Sequence, residues 1–259
     1  SLIGRAGFYI RLAVSPSDPD EVLVANSSFH ISNDGGKSFR TMPWGGDTHD
    51  IWVDPKNSGR ILVTHDGGMF MTTDHGKTST RVTLPIAQLY HFATDNDIPY
   101  RVYTNMQDNG TMRGLSTTPE AGPNVPAAEP AGGGFGGGRR SAGGVWDHGL
   151  GGCESGYTIP DPTDSNIVWS SCYGFELTRY DFRTKLARSV SPVQHTLDSE
   201  PNKLKYRAHW TPPFAIDPFD PSTVYFGAQV VFRTTNAGQS WKVISPDLST
   251  QDPRYIVSS

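Results

Sequence analysis

One short stretch is written three times along the chain, and it limits the fold more than any other feature. Ser32-Asn33-Asp34-Gly35-Gly36-Lys37-Ser38-Phe39 sets the pattern: a hydroxyl, an Asp or Asn two residues on, Gly two later, a hydroxyl two later, then an aromatic. Thr72-Thr73-Asp74-His75-Gly76-Lys77-Thr78 and Thr234-Thr235-Asn236-Ala237-Gly238-Gln239-Ser240-Trp241 follow it. In this setting Asp34, Asp74 and Asn236 are suited to accept hydrogen bonds from the N–H groups of their own turn. The glycine two residues on is suited to the positive φ of a tight hairpin. Phe39 and Trp241 are expected to pack between neighbouring sheets. Ser79 occupies that place in the second copy, so there the wedge is missing or supplied elsewhere.

Asp34 and Asp74 stand 40 residues apart, a period that suits a four-stranded repeat. A second recurring element supports it: Leu12-Ala13-Val14-Ser15-Pro16, Ile51-Trp52-Val53-Asp54-Pro55, Tyr157-Thr158-Ile159-Pro160-Asp161-Pro162 and Ala215-Ile216-Asp217-Pro218 each end an apolar run in a proline turn. A β-rich run follows each, as in Val22-Leu23-Val24 and Val224-Tyr225-Phe226. Five blade-like units are expected, over 1–45, 46–85, 86–150, 151–200 and 201–248, with 249–259 as the entry to another. The third carries a Gly/Pro-rich insertion, 116–144, whose composition cannot bury enough apolar surface to order itself. No G-x-x-x-x-G-K-[ST] stands there to make its glycines a phosphate cradle.

Composition agrees with a many-turned β fold: 28 glycines and 20 prolines in 259 residues, and no convincing helical periodicity. A net charge of −4 without a basic stripe argues against a nucleic-acid partner. No apolar run is long enough to span a membrane as a helix. The opening Ser1-Leu2-Ile3-Gly4-Arg5 is no signal peptide, and the chain begins without Met inside what reads as a repeat. A piece of a longer polypeptide is therefore expected, its targeting signal upstream.

In such a repeat the loops entering the first strand and joining the second to the third open on one face. There the sequence places His49 and Asp50, His65 and Asp66, Gln107-Asp108-Asn109, Cys153-Glu154-Ser155, Tyr173-Gly174-Phe175 and His209-Trp210. Of these, His49, His65, Asp66, Gln107, Asp108, Asn109, Tyr173, His209 and Trp210 are the expected ligand-binding set. Hairpin counting puts His49 or Asp50 beside His65, and the quartet His49, Asp50, His65 and Asp66 is suited either to a bound cation or to capping strand ends. Its spacing matches no strong metal signature, so no metal site and no cofactor are assigned. The same counting makes Cys153 and Cys172 cross-strand neighbours, either a disulfide or a pair of buried thiols. If the chain hydrolyses a glycoside, Asp50 and Glu154 are the candidate carboxylates, with Asp66 and Asp108 behind them. Tyr90, Trp52, Tyr173, Phe175 and Trp210 are candidate stacking platforms or core.

The threefold motif resembles the Asp-box of sialidase-like and sortilin-like β-propellers. The runs His49–Asn57, Gln107–Thr111, Glu154–Tyr157 and Ser240–Leu248 are similar to large bacterial proteins with sortilin-like, bacterial-neuraminidase-type repeats, a group often labelled glycosyl hydrolases. The resemblance implies an all-β propeller of four-stranded blades, part of a larger tandem-propeller protein that is exported to the periplasm, cell surface or medium. It implies a binding or scaffold module whose loop-rich face recognises a protein, peptide or glycan, beside the remaining blades of the same polypeptide. The alternative is a sialidase-like or xyloglucanase-like glycoside hydrolase. The Arg triad, Tyr nucleophile and Asp acid of sialidases have no visible counterpart.

Overall fold

A computed structural model describes residues 2, 4–82, 87–117, 146–194 and 200–256. The insertion expected at 116–144 lies outside the described residues from 118 onward. The chain divides into two compact segments, Ser1–Ile86 and Ala87–Ser259, each described by itself.

The N-terminal segment holds two four-stranded antiparallel sheets. The first runs β1 (Arg11–Val14), β2 (Glu21–Ala25), β3 (Ser28–Asn33) and β4 (Arg40–Gly46), each strand pairing with the next. The second runs β5 (Thr48–Val53), β6 (Ile61–His65), β7 (Gly68–Thr72) and β8 (Thr80–Val82) in the same order. Alternation decides which side chains go inward: in β2, Glu21, Leu23 and Ala25 are buried between half-buried valines. Leu23, Phe29 and Ile31 of the first sheet share a core with Ile61 and Val63 of the second.

The C-terminal segment holds three further sheets of the same kind. They are β9 (Leu89–Thr94), β10 (Arg101–Met106), β11 (Gly110–Leu115) and β12 (Trp146–His148); then β13 (Thr158–Asp161), β14 (Asp164–Ser171), β15 (Leu177–Asp181) and β16 (Leu186–Ser189); then β17 (Phe214–Ile216), β18 (Val224–Gly227), β19 (Val231–Thr234) and β20 (Lys242–Val243). Trp169, Phe175 and Leu177 pack with Val224, Phe226 and Phe232 into one core between the last two sheets. The first strands of neighbouring sheets touch, β1 with β5 and β9 with β13. Consecutive four-stranded meanders with their first strands together are the blades of a β-propeller, and the chain is all-β of that class. The described residues contain no α-helix, only a turn of 3-10 helix at Pro201–Lys203.

The three repeated motifs join β3 to β4, β7 to β8 and β19 to β20, and they share one hydrogen-bond scheme. Ser38 donates its backbone N–H to Asp34 Oδ1 at 2.8 Å and its hydroxyl to Oδ2 at 2.5 Å. Thr78 does the same to Asp74, at 2.8 and 2.7 Å. In the third copy Ser240 N–H donates to Asn236 Oδ1 at 3.0 Å, and the amide reverses one role, with Asn236 Nδ2 donating to the Ser240 hydroxyl at 2.9 Å. Gly76 and Gly238 carry φ of 78° and 81°. Both also stand where a Cβ would come within 2.6 Å of the preceding sheet, at Ile31 and Val190 respectively. Trp241 wedges against that sheet as expected of the closing aromatic, its indole N–H donating to the Val190 carbonyl at 2.8 Å. In the second copy Met42 and Trp44 of the first sheet also reach Gly76.

Candidate functional site

In the N-terminal segment the structure corrects the register of the His/Asp quartet. Thr48 pairs with His65 and Asp50 with Thr64, so His49 is the extra residue of a bulge and neither His49 nor Asp50 faces His65 across the ladder. The four side chains part accordingly. His49 Nε2 contacts Asp66 Oδ1, and the Tyr9 hydroxyl donates to Asp66 Oδ2 at 3.4 Å. His65 instead stacks on Phe70 with centroids 4.9 Å apart and accepts the Gly67 N–H at 3.0 Å. Burial lowers its pKa, with Arg81 adding to the fall. Asp50 is exposed, binds its neighbour's N–H and lies 3.9 Å from Arg11. Among the described residues no three of His, Cys, Asp and Glu converge as a metal-ligand set.

The C-terminal segment does gather its loop residues. Gln107, Asp108 and Asn109 form the turn between β10 and β11, where Met106 pairs with Gly110. Asp108 takes φ 60° and Gly110 φ 77°, a left-handed conformation that Asp tolerates better than most residues. The Asp108 N–H donates to Glu154 Oε2 at 3.0 Å, while Gln107 Nε2 donates to Asp108 Oδ1 at 2.9 Å. Asn109 turns back, its amide donating to the Gln107 carbonyl at 2.9 Å. Burial raises the Glu154 carboxyl above the ordinary glutamate range. The Asp108 N–H opposes the rise, and the charge and hydrogen bonding of the Asp108 carboxyl add to it.

Aromatics complete the arrangement. Tyr173, from the turn after β14, lies against Trp210, from the loop before β17, with ring centroids 4.3 Å apart and planes 12° from parallel. The Trp210 indole N–H donates to the Tyr90 hydroxyl at 2.9 Å, and that hydroxyl contacts Gln107 Oε1. Trp210 keeps 39% of its surface exposed. Burial, then the nearby charge of Glu154, raises the Tyr173 pKa. His209 is turned to a local partner, Thr211, at 3.0 Å. Phe175 is core, with 1% of its surface exposed, and Trp52 in the N-terminal segment is an exposed strand residue.

Two buried residues set this geometry, and neither stands among the expected site residues. Asn105 is fully buried, and its amide donates to the carbonyls of Cys153 and Ser155 at 2.8 Å each and of Ser171 at 3.2 Å. Its own carbonyl accepts the Thr158 hydroxyl at 2.7 Å. Ser155 is equally buried; its hydroxyl donates to the Trp210 carbonyl at 2.8 Å and accepts the Tyr173 N–H at 3.2 Å, bridging the backbones of the two stacked residues. The sequence signal for Asn105 is a carboxamide in the middle of a strand, where a buried side chain must find partners.

Cys153 and Cys172 form a disulfide with Cα atoms 5.1 Å apart. They are not strand partners as the hairpin count had them. Cys153 precedes β13 and Cys172 follows β14, because the ladder begins only at Thr158 opposite Ser170. The bond therefore ties the Glu154 loop to the end of β14, beside Tyr173.

No family model matches the chain. A xyloglucanase of Hypocrea jecorina (strain QM6a) is 33% identical over 72 residues, which make up 27% of this chain and 9% of that enzyme. Among solved structures, the GH74 xyloglucanase from Xanthomonas campestris is 17% identical with a TM-score of 0.36, covering 88% of this chain and 36% of that one. YCF48 bound to a D1 peptide is 12% identical with a TM-score of 0.37, covering 89% and 66%. An auxiliary nutrient binding protein from Bacteroides thetaiotaomicron is 15% identical with a TM-score of 0.31, covering 92% and 57%. The chain thus spans 9% of the length of the curated relative and 36% to 66% of these three structures.

Proposed function

We propose that the chain is a ligand-recognition module of an exported protein, and that the loop face of its C-terminal segment binds a glycan. The observation that carries this reading is the Tyr173–Trp210 stack: an exposed indole, fixed by its N–H to Tyr90, beside Gln107, Asp108 and Glu154. Flat rings edged by amides and carboxylates suit a sugar ring, which offers C–H groups on its face and hydroxyls at its rim. The turns at Asp34, Asp74 and Asn236 are read as Asp-boxes with a structural task, since their side chains are spent on their own backbone. The Cys153–Cys172 disulfide fits an oxidising compartment and so supports export.

A second reading, glycoside hydrolysis, draws on the short stretch of identity to a xyloglucanase and on the raised pKa of Glu154, which suits a general acid. Against it stands the contact between Glu154 and Asp108. Paired glycosidase carboxylates stand about 5 Å or more apart to flank the scissile bond, whereas these two share a hydrogen bond. Asp50 lies in the other segment, exposed, and would need its own partner. Titration of neutral oligosaccharides, including xyloglucan fragments, against the wild type and Trp210→Ala, with product release followed in parallel, separates the readings.

A further inference from the structure

A cavity of about 670 Å³ lies where the edge of the β13–β16 sheet meets the β19–β20 turn, and none of its lining residues belongs to the Tyr173–Trp210 site. Its lining brings two like charges together. On the β15–β16 ladder Arg179 stands directly opposite Arg188, and both line the cavity. Like charges facing each other on neighbouring strands are destabilising. The ion pairs of the described residues occupy other arginines and leave these two out.

A second, independent observation points the same way. The register places Trp169 opposite Arg179 on the other side. The Trp169 indole N–H and the Arg179 Nε–H are both buried, and among the described residues neither has an acceptor. An orphan buried donor costs about 1–3 kcal/mol, and the Arg179 Nε–H, on a residue that lines the cavity, calls for an acceptor there.

We propose that this cavity binds a small organic anion whose carboxylate, phosphate or sulfate group is held by Arg179 and Arg188. The guanidinium fork matches the oxygens of all three groups and is the favoured side chain for them. The rest of the cavity decides for an organic ligand over a bare ion. Its volume falls within the range of about 300–1,000 Å³ usual for small-molecule sites. Val190, Val193 and Ala237 supply an apolar wall, and Ser189 and Gln239 add neutral hydrogen-bonding groups. Glu176 also lines it, which disfavours ligands charged along their whole length.

The test is calorimetric titration of the whole 259-residue chain with glucose 6-phosphate, glucuronate, inorganic phosphate and, as a neutral control, glucose. The expected result is saturable binding of one of the two sugar anions, about tenfold or more tighter than phosphate, and no binding of glucose. Arg188 is exposed, so Arg188→Gln should fold, and it should weaken that binding about tenfold or more. Arg183→Gln, which removes a guanidinium already paired with Asp164, should leave the affinity unchanged. Absence of saturable binding by every anion, an unchanged affinity in Arg188→Gln, or an equal loss in Arg183→Gln would overturn the proposal. Inorganic phosphate binding as tightly as both sugar anions would overturn the assignment to an organic ligand.

Discussion

Tyr173 and Trp210 lie with ring centroids 4.3 Å apart and planes 12° from parallel, although 37 positions separate 173 from 210 along the chain. Their backbones are bridged by one hydroxyl, that of Ser155. If this stack is the platform, Trp210→Ala should weaken glycan binding about tenfold, near the upper end of what an aromatic contact contributes beyond its buried area. Ser155→Ala keeps both rings but removes the bridge. It should lower affinity by less and broaden or shift Trp fluorescence, and an unchanged spectrum with unchanged affinity would remove Ser155 from the argument.

Asn105 is expected to be the most sensitive single position of the site's support. Asn105→Ala strips three buried carbonyls of their donor and one hydroxyl of its acceptor. A loss of about 2–4 kcal/mol in denaturant unfolding follows, the range for breaking a buried hydrogen-bond network. A loss below about 1 kcal/mol would mean that the loop holding Glu154 is fixed by something else.

The disulfide closes a loop with a sequence separation of 19. Chain entropy for such a loop gives about 3 kcal/mol of stabilisation. The double variant Cys153→Ser, Cys172→Ser should lose about that much and lose glycan affinity with it, because the bond ties the Glu154 loop beside Tyr173.

Acid should act on two of the three repeated turns and spare the third. Hydrogen bonds from Ser38 hold Asp34 down at about 2, and those from Thr78 hold Asp74 at about 2, both from an ordinary 3.8. A carboxylate depressed in the folded state stabilises above its unfolded value. That contribution fades as pH falls from about 3.8 towards about 2. Asn236 does not titrate. Melting temperatures of Asp34→Asn and Asp74→Asn should therefore fall less steeply than wild type over that interval, and parallel curves would contradict the scheme.

Glu154 carries the opposite sign. Its folded pKa is raised, chiefly by burial, so ionisation costs stability as pH rises above the ordinary value of 4.5. Glu154→Gln keeps an oxygen for the Asp108 N–H without the charge. It should melt higher than wild type at neutral pH, with the gap closing below about pH 4.

The fold class is legible in this sequence because its determinants are local and repeated. The turn motif, the proline turns after Val14 and Val53, and the apolar alternation of Val22-Leu23-Val24 each specify a hairpin without reference to distant residues. The site is less legible for physical reasons. A one-residue bulge at His49 leaves no trace in a hairpin count, yet it sends His49 to Asp66 and leaves His65 on Phe70. The disulfide lies outside the strand ladder that the count extrapolated. Asn105 acts through bonds to residues 48 to 66 positions away, and Ser155 bridges residues 18 and 55 positions away, which no local pattern announces.

The most direct measurement is a calorimetric titration of the chain with neutral oligosaccharides, xyloglucan fragments among them, while reducing ends are assayed in the same samples. The expected result is saturable binding without product, weakened about tenfold by Trp210→Ala. Steady release of reducing ends that Glu154→Gln abolishes would contradict the binding reading and make the chain part of a hydrolase.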